Sequence, residues 1–578
     1  MTCSTKDELI RMNLSIQNKP SFGRLNWKAL ILGLGAGLSS LLLPIQAAER
    51  VSFRVNNFQR SVSVPELVEF ADHGEISKDL QSYFNYLKPN DQAALREALN
   101  KYVPVTSVQA ADFLATPLGK VVLQQIVKVL DLPSQEAALA LSSALILGSE
   151  TGQLKLIQVL KDYPLPTIPV NVLAVAALIR EVNNVMTLQS NLFTRLEALG
   201  NSSSGKTSAR NSTENETKAN TKEDTKPLAK PTLEQLSRFG SVAYQSLPFK
   251  FESRHGTTIQ AIAYIPNRLP DQPRLPLVVL APGLNSDMNA LLYVGKGLAS
   301  HGYAVASLNF PYTSETTVQA VIKGGLAIPP PNKWFGQPHN VSDLIDQMDR
   351  KWGNDVDTKN VGVLGQSLGG YTAIALSGAR LDWDHLLEGC KSLSDPNKVV
   401  LNPAVIWQCK APGSVEKTMD FRDPRIKATV AVNPVTNPIF SSKSMTEIDV
   451  PLLVISGTAD IFAPPFSQQL APFSAMIQPD RLLAVQKNGT HLSFLEGTSK
   501  LPKTILGPDQ KLARVELSGL ARAFFATHLK GKNTLDLLMP KHKITDVELG
   551  RKPLRLLLRR ELSSAEFDQL APGMNDNF

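Results

Sequence analysis

The segment 361–371 has the sequence Val361-Gly362-Val363-Leu364-Gly365-Gln366-Ser367-Leu368-Gly369-Gly370-Tyr371. The apolar residues before Gly365 predict a buried strand, and those after Gly369 predict a helix. Ser367 lies in the turn between them, in the pattern G-x-S-x-G. Glycines at positions 365 and 369 permit a strained nucleophile elbow that lifts the serine hydroxyl above a sheet. A glycine-rich turn whose serine only caps the helix is the alternative, but the complete strand, turn and helix favour a nucleophile.

A serine hydroxyl needs a base to activate it, and the base needs a carboxylate that fixes its tautomer. Of the histidines after Ser367, His491 directly follows the predicted strand 482–485, on a loop that contains glycine. Asp460 follows the predicted strand 452–456 in the same way. An aspartate in this position is often only a turn former. The chain order Ser, Asp, His favours a triad, so we predict Ser367, Asp460 and His491 as the catalytic residues.

Two backbone amides are predicted to bind the oxyanion that forms when a serine attacks a carbonyl group. The Leu368 amide lies at the start of the helix after Ser367, where N–H groups have no partner within the helix. The Leu284 amide follows Gly283 in a loop just past the predicted strand 275–281. One such donor contributes roughly 3–4 kcal/mol of transition-state stabilisation.

Short apolar runs alternate with helical segments from residue 241 to about residue 530. This alternation predicts an α/β fold with a mostly parallel central sheet that helices cover on both faces. The predicted strands are 242–251, 257–265, 275–281, 303–308, 361–364, 428–432, 452–456 and 482–485. The segment from about 380 to 425 lacks a strong strand, and we interpret it as a lid insertion near the active site.

The composition indicates a globular protein with several domains. Hydrophobic residues make up 43% of the 578 residues and charged residues 19%, which excludes wholesale disorder, collagen and coiled coil. Residues 49–199 begin as a strand or hairpin and continue with helical periodicity, so we predict a small, mainly helical domain there. Residues 200–231 are nearly devoid of apolar side chains and are predicted to be a disordered linker. We predict that a catalytic domain follows over residues 232–540, and a C-terminal tail over residues 541–578.

Neither nucleotide nor nucleic-acid binding is predicted. The segment from Gly200 to Thr207 matches the phosphate-loop pattern G-x-x-x-x-G-K-T, but that motif needs a strand before it and a helix after it. The formal net charge is +8, yet basic and acidic residues are mixed along the chain, without a basic stripe. Three cysteines are too few for a cysteine-ligated zinc site. We predict no metal and no organic cofactor, because serine chemistry requires neither.

The N-terminus resembles an export signal. Basic residues precede the apolar run 29–43, and small residues follow up to Ala48, so we predict that residues 1–48 direct the protein to the periplasm or outside the cell. The run of 15 residues is shorter than the roughly 20 that span a bilayer. Because it contains GxxxG spacing, a membrane anchor over residues 29–47 is the alternative.

Cys390 and Cys409 are the cysteines that remain after export. We predict that they form a disulfide, because exported proteins mature in an oxidising compartment. Two separate buried thiols are the alternative.

Residues 241–530 resemble α/β hydrolases of the group that includes dienelactone hydrolases and platelet-activating-factor acetylhydrolases. The resemblance rests on the motifs Ala281-Pro282-Gly283-Leu284, Gly365-Gln366-Ser367-Leu368-Gly369-Gly370, Gly457-Thr458-Ala459-Asp460 and Gly489-Thr490-His491. The chain from residue 49 onward is also similar to exported cyanobacterial hydrolases with a helical N-terminal domain of unknown function. The resemblance implies a serine hydrolase without an assigned substrate.

These observations predict an esterase or lipase-like enzyme that acts on small-molecule or lipid esters. Leu326, Trp334 and Phe335 are apolar and are predicted to line the substrate pocket, although such a segment is as often plain packing. A peptidase with the same triad and a non-catalytic binding protein or scaffold are the rival functions. Residues 49–199 either associate with a membrane surface or form a self-contained core. The sequence leaves the oligomeric state open.

Overall fold

The structure is a computed structural model. It describes residues 48–55, 58–85, 89–115, 117–171, 187–200, 231–322, 326, 329–395, 398, 400, 402–410, 419–497, 503–539 and 546–572. Residues 1–47 of the predicted signal or anchor segment therefore lie outside the described residues, and so do residues 201–230 of the predicted linker.

Residues 48–171 contain short helices and small sheets. The strands are β1 (Arg50–Val55), β2 (Phe58–Ser63), β3 (Tyr102–Val103), β4 (Leu154–Lys155) and β5 (Thr167–Asn171). The helices are Val64–His73, Lys78–Phe84, Pro89–Asn100, Ser107–Ala115, Pro117–Val127, Ser134–Leu147 and Leu156–Lys161. β1 pairs antiparallel with β2, as the alternating sequence predicts, and parallel with β5. Two apolar clusters consist of residues from this region alone, so it buries a core of its own.

The main sheet runs through the second half of the chain. Its strands are β6 (Tyr244–Glu252), β7 (Thr258–Pro266), β8 (Leu275–Ala281), β9 (Ala304–Leu308), β10 (Val356–Gln366), β11 (Ile426–Val432), β12 (Leu452–Gly457), β13 (Arg481–Gln486), β14 (Val547–Arg551) and β15 (Leu554–Arg559). Their order is β14-β15-β13-β12-β11-β10-β8-β9-β7-β6. The strands from β13 to β9 in this order are parallel, and the pairs at both ends are antiparallel. The predicted mostly parallel sheet is confirmed.

Helices cover both faces of this sheet. They are 187–200, Leu233–Ser237, Leu292–Ala299, Glu315–Ile322, Pro331–Phe335, Gln337–Trp352, Leu368–Leu376, Trp383–Ser394, Pro403–Gln408, Ser442–Thr446, Ala471–Ala475, Lys503–Leu506, Gln510–Lys530, Thr534–Leu538 and Ser564–Leu570, with a π-helix at Phe466–Leu470. Side chains alternate between the faces of a strand. In β8, Val278 and Leu280 accordingly join one apolar cluster, whereas Leu277 and Val279 join another.

The predicted C-terminal tail is wrong, because β14 and β15 extend the main sheet and β15 pairs with β13. Leu556 and Leu558 are buried on one face of the sheet and Leu557 on the other. Three arginines of this segment, Arg555, Arg559 and Arg560, are paired with acids. Arg559, for example, contacts Asp546 at 2.8 Å.

The predicted domain boundary at residue 199 is also wrong, because helix 187–200 packs against the region of the main sheet. Its residues Leu192, Phe193 and Leu196 are buried in the same apolar cluster as Leu368 and Tyr371. The amino-acid composition changes after residue 200, whereas packing against the main-sheet region already begins with helix 187–200.

The insertion 380–425 forms two helices in its described part, Trp383–Ser394 and Pro403–Gln408. A disulfide between Cys390 and Cys409 joins them, with the two Cα atoms 5.5 Å apart. From the N-terminal region, the Lys128 ammonium donates to the Leu393, Asp395 and Lys398 carbonyls at 2.8, 3.2 and 3.1 Å. The insertion is therefore fixed both internally and to the N-terminal region.

Candidate active site

Ser367 lies where β10 ends and the helix Leu368–Leu376 begins, at the centre of the sheet. Its backbone has φ 57° and ψ −118°, a strained conformation for a residue other than glycine. A Cβ on Gly365 would lie 1.9 Å from the Gly369 carbonyl oxygen, and one on Gly369 would lie 1.9 Å from the Ala281 oxygen. Only glycines at these two positions permit such a tight turn, which explains the G-x-S-x-G pattern.

The structure brings the predicted triad residues together. Ser367 Oγ lies 2.8 Å from His491 Nε2, and His491 Nδ1 lies 2.7 Å from Asp460 Oδ2. The serine and the histidine are each 8% exposed, and the aspartate is fully buried. All three follow the carboxyl ends of parallel strands of one sheet, β10, β12 and β13, with β11 between β10 and β12, and therefore meet at one edge of the sheet.

The Asp460 carboxylate is held by its own loop. Oδ1 accepts hydrogen bonds from the Phe462 and Ala463 amides at 2.9 and 2.8 Å, which leaves Oδ2 to the imidazole. The Phe462 ring lies beside that imidazole, with 5.5 Å between the ring centroids. This geometry fixes the ring of His491 with one nitrogen toward the carboxylate and the other toward the serine.

Two further buried residues, Asn433 and Gln366, also hold the site. The Asn433 side chain donates to the Thr490 carbonyl at 3.1 Å and accepts from the Gly457 amide at 3.0 Å. It thereby connects the loops of the acid and the base. Gln366 donates to the His491 carbonyl at 3.0 Å. The position of Asn433 directly after a strand was the available signal, because asparagine tolerates the left-handed φ of 43° found there.

The loop that carries Leu284, one of the two predicted oxyanion donors, lies against Ser367. A Cβ on Gly283 would be 3.0 Å from Ser367 Cβ, so the turn before Leu284 approaches the serine closely. Leu368 is the first residue of its helix, where the amide has no carbonyl partner in the helix. The Leu368 amide thus directly follows Ser367 in the chain, and the Leu284 amide directly follows the turn that approaches Ser367.

The predicted pocket residues lie in different environments. Trp334 stacks on Trp407 with 4.5 Å between ring centroids, and Phe335 packs edge-on against Tyr371 at 5.4 Å. They are 6% and 1% exposed, which favours packing over substrate contact for both. Leu326 is 53% exposed. Burial raises the pKa of Tyr371, whose hydroxyl donates to the Phe335 carbonyl.

Residues 47–171 match the model of a family described as an alpha/beta hydrolase of unknown function (DUF1400). The match covers the N-terminal region and not the triad. The parallel sheet with Ser367 at a strand-to-helix turn is the arrangement typical of this superfamily. The chain has the α/β-hydrolase fold. No curated protein matches the chain.

Two features are absent from the residues that the structure describes. In that part of the chain, no three His, Cys, Asp or Glu residues form a cluster that could hold a metal ion. Nor is any described helix both long and apolar enough to cross a membrane. The alternative anchor at 29–47 lies outside that part.

Proposed function

We propose that the protein is a serine hydrolase that cleaves carboxylic esters. Ser367 Oγ attacks the ester carbonyl while His491 Nε2 accepts its proton, and the Leu284 and Leu368 amides stabilise the oxyanion. The tetrahedral intermediate expels the alcohol, which takes the proton from His491. Water, deprotonated by His491, then attacks the acyl-enzyme and releases the acid and Ser367. Asp460 orients the imidazole and stabilises its charged form throughout.

The observation that carries this proposal is the hydrogen-bond chain from Asp460 through His491 to Ser367. A scaffold has no need for a buried carboxylate, a bridging imidazole and a strained serine in one line. The esterase assignment draws on the resemblance to dienelactone hydrolases and platelet-activating-factor acetylhydrolases. A peptidase would use the same residues, so substrate assays must distinguish the two activities.

A fluorophosphonate probe tests the nucleophile, because it labels only an activated serine. We expect labelling of the full-length protein, its loss in Ser367→Ala, and its retention in Ser237→Ala, a control serine on the helix Leu233–Ser237. Turnover of p-nitrophenyl esters from acetate to palmitate, beside peptide nitroanilides, then separates esterase from peptidase. An unlabelled, folded wild-type protein would support the scaffold function instead.

We further propose that the enzyme is exported and works at a membrane surface. The disulfide between Cys390 and Cys409 supports an oxidising compartment. In the N-terminal region the large apolar side chains of Val103, Val108 and Leu139 are 59%, 68% and 67% exposed. The full chain should float with anionic phospholipid vesicles, and Val108→Ser combined with Leu139→Ser should reduce flotation without changing turnover of a soluble ester. Equal flotation of both proteins would contradict the membrane proposal.

A further inference from the structure

A side chain from outside the main sheet contacts the triad aspartate. The Gln189 Nε2 amide donates a hydrogen bond of 2.9 Å to the backbone carbonyl of Asp460, across 271 residues of sequence. Gln189 is half-buried and lies on helix 187–200. In the chain, this helix follows the N-terminal region and precedes the strands of the main sheet.

The other polar groups of Asp460 bond within the residues that form the site. Its carboxylate binds His491 and the two amides of its loop, and its own amide donates to the Gly457 carbonyl at 3.3 Å. The preceding residue, Ala459, donates to the Gly489 carbonyl in the histidine loop. The carbonyl of Asp460 is thus the point at which a separate element holds this loop.

Helix 187–200 is itself firmly fixed, so it can serve as a support. Its apolar residues are buried among those of the hydrolase, as described above. Arg195 donates to the Leu570 carbonyl at 2.6 Å, and Glu197 pairs with Arg555. The amide of Gln189 therefore projects from a helix that is packed through its apolar residues and held by an ion pair at Glu197.

We propose that Gln189 is a positioning residue of the triad, which holds the Asp460 peptide so that the carboxylate stays aligned with His491. This inference rests on the proposed function. A donor on a rigid helix limits the movement of the Asp460 loop, and small displacements of catalytic groups reduce the rate strongly. Because Gln189 acts through Asp460, its loss should affect turnover and leave substrate binding unchanged.

Three full-length variants test the inference. Gln189→Met keeps the length of the side chain without a donor, Gln189→Lys keeps a donor, and Ser190→Ala changes the exposed neighbour. We expect Gln189→Met to lower kcat for p-nitrophenyl butyrate about tenfold, with KM within about twofold of the wild type. Gln189→Lys should restore most of kcat, and Ser190→Ala should match the wild type. Thermal unfolding is measured for every variant.

Wild-type kcat in Gln189→Met would overturn the inference. An equal loss in the Met and Lys variants, together with a lower Tm, would also overturn it, because the residue would then be merely structural. Failure of the proposed function has another signature. The wild-type protein would not react with the fluorophosphonate and would turn over no better than Ser367→Ala.

Discussion

The glycine at position 369 is required by contact with the neighbouring strand. A Cβ there would lie 1.9 Å from the Ala281 oxygen and 2.7 Å from the Pro282 oxygen, so Gly369→Ala must displace the end of β8 or the helix after Ser367. We expect a loss of about 1–3 kcal/mol in the free energy of unfolding, with loss of ester turnover. Urea unfolding and p-nitrophenyl butyrate assays measure the two effects.

Gly297→Ala is the matched control, because a Cβ there meets nothing within 4 Å and the residue lies in a helix. This variant should keep its activity and gain about 0.5–1 kcal/mol in unfolding free energy. Full activity in Gly369→Ala would show that the turn is less constrained than its contacts indicate.

Asn433 joins the loops of the acid and the base with both ends of its amide. Asn433→Asp keeps the acceptor for the Gly457 amide but places an oxygen against the Thr490 carbonyl. Because the site is buried, we expect a loss of about 1–3 kcal/mol in unfolding free energy and a lower kcat. Asn85→Asp, at an exposed position where the side-chain oxygen accepts from Gln81, serves as the control. Equal stability of the two variants would contradict a connecting role for Asn433.

At the level of elements, Lys128 holds the end of the helix Trp383–Ser394. Its ammonium donates to three carbonyls there, and a positive charge is favourable at the C-terminal end of a helix. Burial lowers the pKa of Lys128, and the nearby charge of Asp395 raises it. We expect Lys128→Met to weaken this attachment by about 1–3 kcal/mol. Hydrogen exchange over residues 383–395 should accelerate.

The disulfide should transmit this change to the helix Pro403–Gln408, where Trp407 stacks on Trp334. We therefore expect hydrogen exchange over residues 403–408 to accelerate as well. Lys120→Met, at an exposed position on the helix Pro117–Val127, is the control. Unchanged exchange in Lys128→Met would mean that other contacts hold the insertion.

Elements with a strong local pattern could be predicted from the sequence. β8 lies at 275–281 as predicted, because a continuous apolar run that ends at Pro282 has few other interpretations. The predicted C-terminal tail overlooks β15, whose Arg559 and Arg555 are paired with acids in the folded protein. Helix 187–200 was assigned to the wrong region, since its apolar face does not reveal what it packs against.

The same distinction applies to the site. The motifs and the chain order located Ser367, Asp460 and His491, because each follows a recognisable strand. Gln189 contributes through one hydrogen bond across 271 residues and Asn433 through two, across 57 and 24 residues, and neither has a local pattern that predicts its partners. Such contacts depend on the tertiary structure.

At the level of the whole molecule, the described residues from Ala48 onward form one compact unit. The N-terminal region is tied to the hydrolase through Lys128, and helix 187–200 belongs to the hydrolase core. A deletion of residues 49–199 would therefore remove buried residues and the Gln189 contact together. Point substitutions in the full chain are the better test of each region.

Lys530 makes the stability of the whole molecule depend on pH. Its ammonium ends the long helix Gln510–Lys530, donates to the His301 and Gly302 carbonyls at 2.9 Å each, and lies 4.0 Å above the Tyr303 ring. Burial, with a smaller contribution from the charge of Lys532, lowers the pKa of Lys530 from its ordinary 10.5 to about 8. The contacts do not fully compensate for the loss of hydration.

Between pH 8 and 10.5 the unfolded chain therefore holds a proton on Lys530 that the folded protein has released. The free energy of unfolding should rise with pH through this window, because stability increases wherever the unfolded state binds more protons. Below pH 8 both states are protonated and this contribution is absent. Urea unfolding at pH 7, 8, 9 and 10 measures the rise, and Lys530→Met removes the titrating group. Parallel pH profiles for the wild type and Lys530→Met would mean that the folded protein keeps the lysine charged, so that its carbonyl contacts offset its burial.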